Sequence, residues 1–588
     1  MNPSSWLIKF KERKIGEALA VYLGIAWVLR EALIFLVEKY GWAMKISDTI
    51  TILVIFGLPA LLIYLWFNEK FTERAVLYQF INIIIAFSLI AYDFVNPGEL
   101  KSVPSRLIDS MSSKKQLAES IRSLVVLPFD NYTGDETSEY YVSGMHDALI
   151  GDVSKIGALR VPGKTTSRSF KNSEKSIPEI AAELRVDAVI EGSVSCIAGD
   201  SVCIQIKLFS AYPEEQQLWV QDYYEEKSKI LNLYKKVTKQ ISEEINIILT
   251  PQEESFLAES KTVDPEAYDA FLQGQYNWEK LDKESMQKAL EYFELAIEKD
   301  PEWADPYAGL ANAWSTFGGF FRVLPKSQTL PKTYKYLNKA LELNPNSAHA
   351  HYVKAITAVW SEFDWIKGEK AFLRSLELNP NNALCRMYYA HLLMILSRSG
   401  ESLVQANLAL ELDPLKPLIL GLYGVVMRNG GDYQSATEHF EKALIIDPNF
   451  GFAAGNLADM NMDNAYSSGD YEKWVKLWDK KVGAFGHWND EGRSAVLNAF
   501  YEKGHIAAIE EMFKMNEKYG NKCYMSGGIK AERNLKLKKY NNVMDYLEEE
   551  YEKRDMSITY IATNLYPYDQ LKDNPRFIEL LQKMKLQY

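Results

Sequence analysis

The residues best able to ligate a metal or act as nucleophiles are seven histidines and four cysteines. The histidines, at 146, 349, 351, 391, 439, 487 and 505, are scattered, and only His349 and His351 are close. Two residues apart on a helix they point to different sides, so they cannot face one metal together. The chain has no G-x-x-x-x-G-K-[ST] loop, and neither G-x-G-x-x-G nor a nucleophile elbow falls where a strand would run into a helix. No catalytic residue, metal site or cofactor is expected, and the chain reads as a non-enzyme. Among the cysteines, Cys196 and Cys203 flank Gly199-Asp200 in two runs of alternating polarity. A two-residue turn there would set them opposite each other, about 4.5–5.5 Å apart at Cα, within disulfide reach. Two readings stay open: a cross-strand disulfide, which needs an oxidising compartment, or two reduced neighbouring thiols. Cys385 and Cys523 fall in helical stretches where small buried cysteines are common.

The elements that must carry these side chains are announced by one cadence. ELAIEKDP ends at Pro301, ALELNP at Pro345, SLELNP at Pro380, ALELDP at Pro414 and ALIIDP at Pro448. A spacing near 34 residues is that of the tetratricopeptide helix pair, which this stretch resembles. Small and aromatic residues sit at the matching offsets: Ala289, Phe293 and Ala296; Ala390, Ala406 and Ala409; Gly424, Ala436, Phe440 and Ala443. The stretch 318–330 is the extra length before Pro345. Beyond Pro448 the cadence fades, with degenerate pairs expected at 450–482, 489–519 and 525–553. The resemblance implies a groove lined by first helices, and its offsets fall on Val353, Trp360, Met387, His391, Met394 and Arg428. An apolar, Met-rich groove suits an extended peptide or a helix with hydrophobic anchors.

Three apolar stretches precede this array. Residues 49–67 are free of charge over a length that crosses a hydrocarbon core, 75–92 read as another span, and 16–37 as a third interrupted by Arg30 and Glu31. Basic residues ahead of the first span place the N-terminus inside, and an odd number of spans sends the rest to the far side. The net charge is −12, with the negative excess in the part after residue 95, and an acidic surface argues against a nucleic-acid partner.

Between the spans and the array, residues 122–249 alternate strand and helix patterns: RSLVVLPFD, SEYYVSGMHDALIGDVSKIG, a short strand LRVPG, IPEIAAELR, a hairpin about Gly199-Asp200, QQLWVQDYYEE and a closing helix. In order and wording this resembles the TolB-like (FlgO-like) domain that accompanies tetratricopeptide arrays in bacterial membrane and signalling proteins. The ending LYPYDQLKDNPRFIELLQKM is also similar to that family. Relatives often carry a cyclase, kinase or winged-helix domain ahead of the TolB-like unit, where this chain has apolar stretches and a tether. The family often has two Arg-type residues in the hairpin, where this chain has Ser195 and Cys196.

The expected fold is multidomain: transmembrane α-helices (1–95), a linker (96–120), a small TolB-like α/β domain (121–250) and an all-α tetratricopeptide solenoid (260–588, regular over 264–448). The expected protein is a multi-pass bacterial inner-membrane adaptor with its other domains in the periplasm, holding a protein or peptide in the groove. The alternative is a sensor whose TolB-like domain binds a small ligand and signals through Arg30, Glu31 and Asn82 in the spans.

Overall fold

The computed structural model describes residues 118–587 apart from 214, 281, 320–323 and 567. Its first part is a five-stranded sheet in the order β1-β3-β4-β5, with β2 also on β3. The strands are β1 (Leu124–Val126), β2 (Asp130–Asn131), β3 (Ala188–Ala198), β4 (Ser201–Ser210) and β5 (Gln216–Glu226). β1 and β2 run parallel to β3, because α1 (Glu139–Val153), α2 (Lys164–Arg168) and α3 (Ile177–Leu184) cross over between them. β3, β4 and β5 are an antiparallel meander, and Gly199 at φ +55° supplies the left-handed residue of the tight turn. The expected strand at LRVPG is instead a single bridge between Ser123 and Arg160. β4 alternates strictly, with Val202, Ile204, Ile206 and Leu208 turned to a core shared with α1 and α4 (Ile230–Glu244). α3 covers the other face through Ile180, Ala181 and Leu184 over Val125 and Val189. A short helix α5 (Pro251–Ala258) follows, opened by a capping box from Thr250 and Glu253.

Eight helix pairs come next among the described residues. They are α6 (Pro265–Glu279) with α7 (Lys283–Lys299), α8 (Ala304–Gly319) with α9 (Lys326–Leu343), α10 (Ala348–Thr357) with α11 (Trp365–Leu378), and α12 (Ala383–Ile395) with α13 (Ser399–Leu412). The remaining four are α14 (Pro417–Asn429) with α15 (Tyr433–Ile446), α16 (Gly451–Ser467) with α17 (Tyr471–Ala484), α18 (Asp490–Lys503) with α19 (His505–Tyr519), and α20 (Gly527–Lys536) with α21 (Tyr540–Glu552). A last helix, α22 (Pro575–Met584), closes the chain.

The five Pro-ended phrases share one mechanism. Asp300, Asn344, Asn379, Asp413 and Asp447 each leave the helix with φ between −132° and −145°. The ring of a following proline clashes with a helical conformation at the residue before it, so each second helix stops at the same place. Starts are equally local: Asp264, Asp282, Ser347, Asp364, Asn382 and Asp432 each accept a backbone N–H of the first turn.

The expected class is corrected on one point. The described unit is mostly helical, and among the described residues no helix is long and apolar enough to cross a membrane. Its helices bury one stripe and carry charge on the other, as α7 does with Met286, Ala289, Leu290, Phe293 and Ala296 inward. The spans expected at 16–37, 49–67 and 75–92, with Arg30, Glu31 and Asn82, lie outside the described residues. The placement as a multi-pass inner-membrane protein rested on those spans and is not supported.

The α/β part and the first helix pairs share one hydrophobic cluster, from Leu124 and Met145 through Tyr234 and Tyr268 to Phe293, Trp303 and Trp314. The loops of the Pro-ended phrases add polar clasps. The buried Asp413 carboxylate accepts the N–H of Thr166 (3.0 Å) and its hydroxyl (2.7 Å), while Gly163 N–H donates to Leu412 O (2.7 Å). The Asn381 amide donates to the carbonyls of Ser154 (3.0 Å) and Leu159 (2.8 Å). A Cβ at Gly163 would stand 2.6 Å from Asp413 Oδ2, so the approach requires glycine. Asp413→Ala strands the buried Thr166 donors and is expected to lower stability by about 1–3 kcal/mol in urea denaturation, with Asp413→Asn, which keeps an acceptor, losing less.

Candidate functional site

None of the six residues placed on the groove faces open solvent. Val353, Trp360, Met387, His391 and Met394 are buried, and the Arg428 side chain is 14% exposed. Val353 packs in the cluster of α10 and α11; Met387 and Met394 pack with Ala406, Ala409, Ile419 and Phe440 in the neighbouring one. Trp360, His391 and Arg428 instead meet a segment that no periodicity marked, the irregular stretch 556–566 between α21 and α22.

This segment starts as a 3-10 turn, Met556–Tyr560, with Asp555 accepting the N–H of Ser557. It then runs past successive first helices of the array. The Trp360 indole N–H donates to the Tyr560 hydroxyl at 3.2 Å, and His391 Nδ1 lies 3.2 Å from the same oxygen. The other ring nitrogen, Nε2, is 3.1 Å from the Leu422 carbonyl and must therefore carry the proton. That leaves Nδ1 as acceptor and Tyr560 as its donor. The relay Trp360 to Tyr560 to His391 to Leu422 satisfies every polar atom in a buried place. Burial lowers the His391 imidazole to about 4, against a smaller upward pull from its Leu422 hydrogen bond, and burial raises the Tyr560 phenol, so the ring is neutral and the phenol protonated at neutral pH.

One turn of the array further on, Asn429 accepts twice from Asn564. Asn564 N–H donates to Asn429 Oδ1 (2.9 Å), and the Asn564 amide donates to Asn429 O (3.0 Å). Arg428 is held by Asp463 at 2.8 Å and reaches Leu565 O at 3.5 Å. Tyr560 and Leu565 pack against the cluster of Met387 and Met394. At the segment's start, Lys326 Nζ donates to Trp360 O (2.7 Å) and to Arg554 O, and Arg554 donates to Glu362 O (2.7 Å). Trp360 lies in a π-helical turn, Ala358–Glu362, that ends in Phe363 at φ +59°. Such turns recur at functional sites.

The composition could have flagged Trp360 and His391 as polar residues on a buried helix face. Nothing in the sequence pointed to Asn429, Tyr560 or Asn564, whose partners lie more than a hundred residues away, and Leu565 was marked only as the first residue of the family-like ending.

The other chemistry-bearing residues are spent on structure. Cys196 and Cys203 are paired in register across β3 and β4, with Cα atoms 4.9 Å apart and the sulfurs bonded. Cys385 is buried in α12, and Cys523 is buried in a bridge with Trp488 rather than in a helix. His351 Nε2 meets Pro345 O, whereas His349 stacks on Tyr352. Among the described residues no group of three His, Cys, Asp or Glu could hold a metal ion.

No family model matches the chain. Over 246 residues it is 27% identical to putative adenylate cyclase 3 of Rhizobium meliloti (strain 1021), covering 40% of this chain and 40% of that protein. The chain thus spans less than half the length of that relative. Among solved structures it is similar to YrrB, a TPR protein with an unusual peptide-binding site (21% identity, 32% of this chain and 91% of that one, TM-score 0.21). It is also similar to human IFIT1, solved as a dimer with PPP-AAAA (18% identity, 60% and 78%, TM-score 0.35). The tetratricopeptide-type fold rests on the chain's own helix pairs and their common stops.

Proposed function

We propose that the chain is a non-enzymatic adaptor whose tetratricopeptide array holds a segment of a protein partner, fixed to an α/β unit that resembles the TolB-like domain. One observation carries the reading. The first-helix face engages an irregular stretch of polypeptide, residues 556–566, through donors and acceptors aimed at its backbone and at two of its side chains. That is the chemistry of peptide recognition: main-chain groups give affinity and placed side chains give selectivity. Cross-linking with a lysine-directed reagent in the source cells, read by mass spectrometry, tests it. Links from one protein that concentrate on lysines of the first helices, such as Lys354 and Lys530, and on Lys416 at the start of α14 are expected. Links confined to the α/β unit, or nucleotide turnover by the purified chain, would overturn the reading.

A further inference from the structure

Resting on the adaptor reading, we infer that residues 556–566 form a displaceable strap seated in the partner's own site, and that the partner presents the same anchors: a tyrosine followed four residues later by Asn-Leu.

The strap's two ends have anchors of their own, while Ile558, Ile561 and Ala562 in its middle are buried in the same cluster as those anchors and must leave it when the strap lifts. On one side α21 is packed through Val543, Met544 and Leu547; on the other, Tyr568, Leu571, Phe577, Leu580 and Leu581 are buried in the same cluster. The Trp365 indole ties α22 to α11 by donating to Met584 O at 2.6 Å. The stretch between these anchors is a 3-10 turn and successive bends, so lifting it breaks no α-helix or strand.

What it leaves behind is a row of directional groups contributed by successive first helices: the Trp360 indole N–H, His391 Nδ1, both ends of Asn429, and Arg428. A segment meant only to fill space would be cheaper with apolar contacts, since each buried polar group costs free energy whenever its partner is absent. With the strap out, these groups must find the same partners elsewhere. A phenol hydroxyl that both accepts and donates meets the Trp360 and His391 requirement. An asparagine with a free backbone N–H meets that of Asn429, and the next carbonyl meets Arg428. In the strap those groups belong to Tyr560, Asn564 and Leu565, and the chemistry that fits them defines the incoming segment.

The test uses the full chain and a fluorescein-labelled synthetic peptide of residues 554–570. Tyr560→Phe and, separately, Asn564→Ala in the chain weaken the strap and are expected to raise peptide affinity at least ten-fold over wild type in fluorescence anisotropy. The peptide altered at its own Tyr560 and Asn564 positions is expected to lose binding to every form of the chain. Hydrogen exchange on the unmodified chain is expected to show amides of 556–566 opening faster than those of α12 and α14. Exchange of the strap only with global unfolding overturns the inference. So does peptide binding by folded variants that is absent or indifferent to those two side chains. Either result leaves the adaptor reading standing if partner cross-links still fall on the array, whereas failure of the cross-linking alone would leave the strap a switch without that role.

Discussion

Phe440→Ala is expected to lower the stability of the array by about 3–5 kcal/mol, the range for emptying an aromatic core site. The ring is fully buried among Ala436, Ala443, Ile419 and Leu420. It fills the gap between α14 and α15, where Gly424 lets the two helices approach: a Cβ on Gly424 would stand 2.7 Å from the ring. Collapse into the cavity is limited because α15 is held at its ends by the Asp432 cap and the Asp447 stop. Gly424→Val overpacks the same contact and is expected to lose about 1–3 kcal/mol. Urea denaturation followed by far-ultraviolet circular dichroism measures both. A loss below about 1 kcal/mol for Phe440→Ala would show that the pair relaxes into the space and that the small-plus-aromatic pattern is not what sets its stability.

Acid is expected to loosen the strap through His391. A free imidazole titrates near 6.5, whereas burial holds this one at about 4, so the fold favours the neutral ring. The sign follows directly. The unfolded chain binds the proton more readily, so the contribution is fully present above pH 6.5 and is lost as pH falls toward 4. The whole difference corresponds to roughly 3 kcal/mol. Protonation puts a donor on Nδ1 where the Tyr560 hydroxyl already donates, so the relay from Trp360 is broken at the strap itself. Asp463, which braces Arg428, titrates in the opposite sense: burial and then the nearby Glu532 raise it to about 6, so its contribution grows as pH falls through that value. The measurement must therefore be a difference. His391→Gln keeps a side chain able to donate to Leu422 O and removes the titration. Wild type minus variant, followed by denaturation from pH 7 to pH 4, is expected to fall by most of that 3 kcal/mol. A flat difference would show that the ring is not the acid-sensitive group.

Much of the architecture was legible because it is local. The prolines after Asp300, Asn344, Asn379, Asp413 and Asp447 stop five helices by a clash with the adjacent residue. The small residues and phenylalanines at a 34-residue period pack each helix on its immediate neighbour. Gly199-Asp200 sets a register that places Cys196 opposite Cys203, because a two-residue turn leaves little choice. The strand expected at 159–163 is a bridge because Gly163 is drawn toward Leu412 and Asp413 of the array. No local pattern carries that contact.

The groove divides along the same line. Its residues were placed by the offsets that the tetratricopeptide resemblance implies, and Trp360, His391 and Arg428 meet residues 556–566 of the chain itself. Val353, Met387 and Met394 are taken up by packing between helices, because a methionine at a buried position fills a gap before it anchors a ligand. That the face is already occupied was invisible. Trp360 finds Tyr560 across 200 residues, His391 finds it across 169, and Asn429 finds Asn564 across 135.

By itself, then, the sequence determined where helices start and stop, which neighbours pair and how the hairpin is registered. Each follows from interactions within about one repeat, where residue type and spacing suffice. Only the tertiary structure decided that the α/β unit shares a core with the first helix pairs and that the chain's own residues 556–566 lie along the first helices. Those depend on which surfaces meet when the stacked pairs bring distant segments together, a geometry no period of 34 residues encodes.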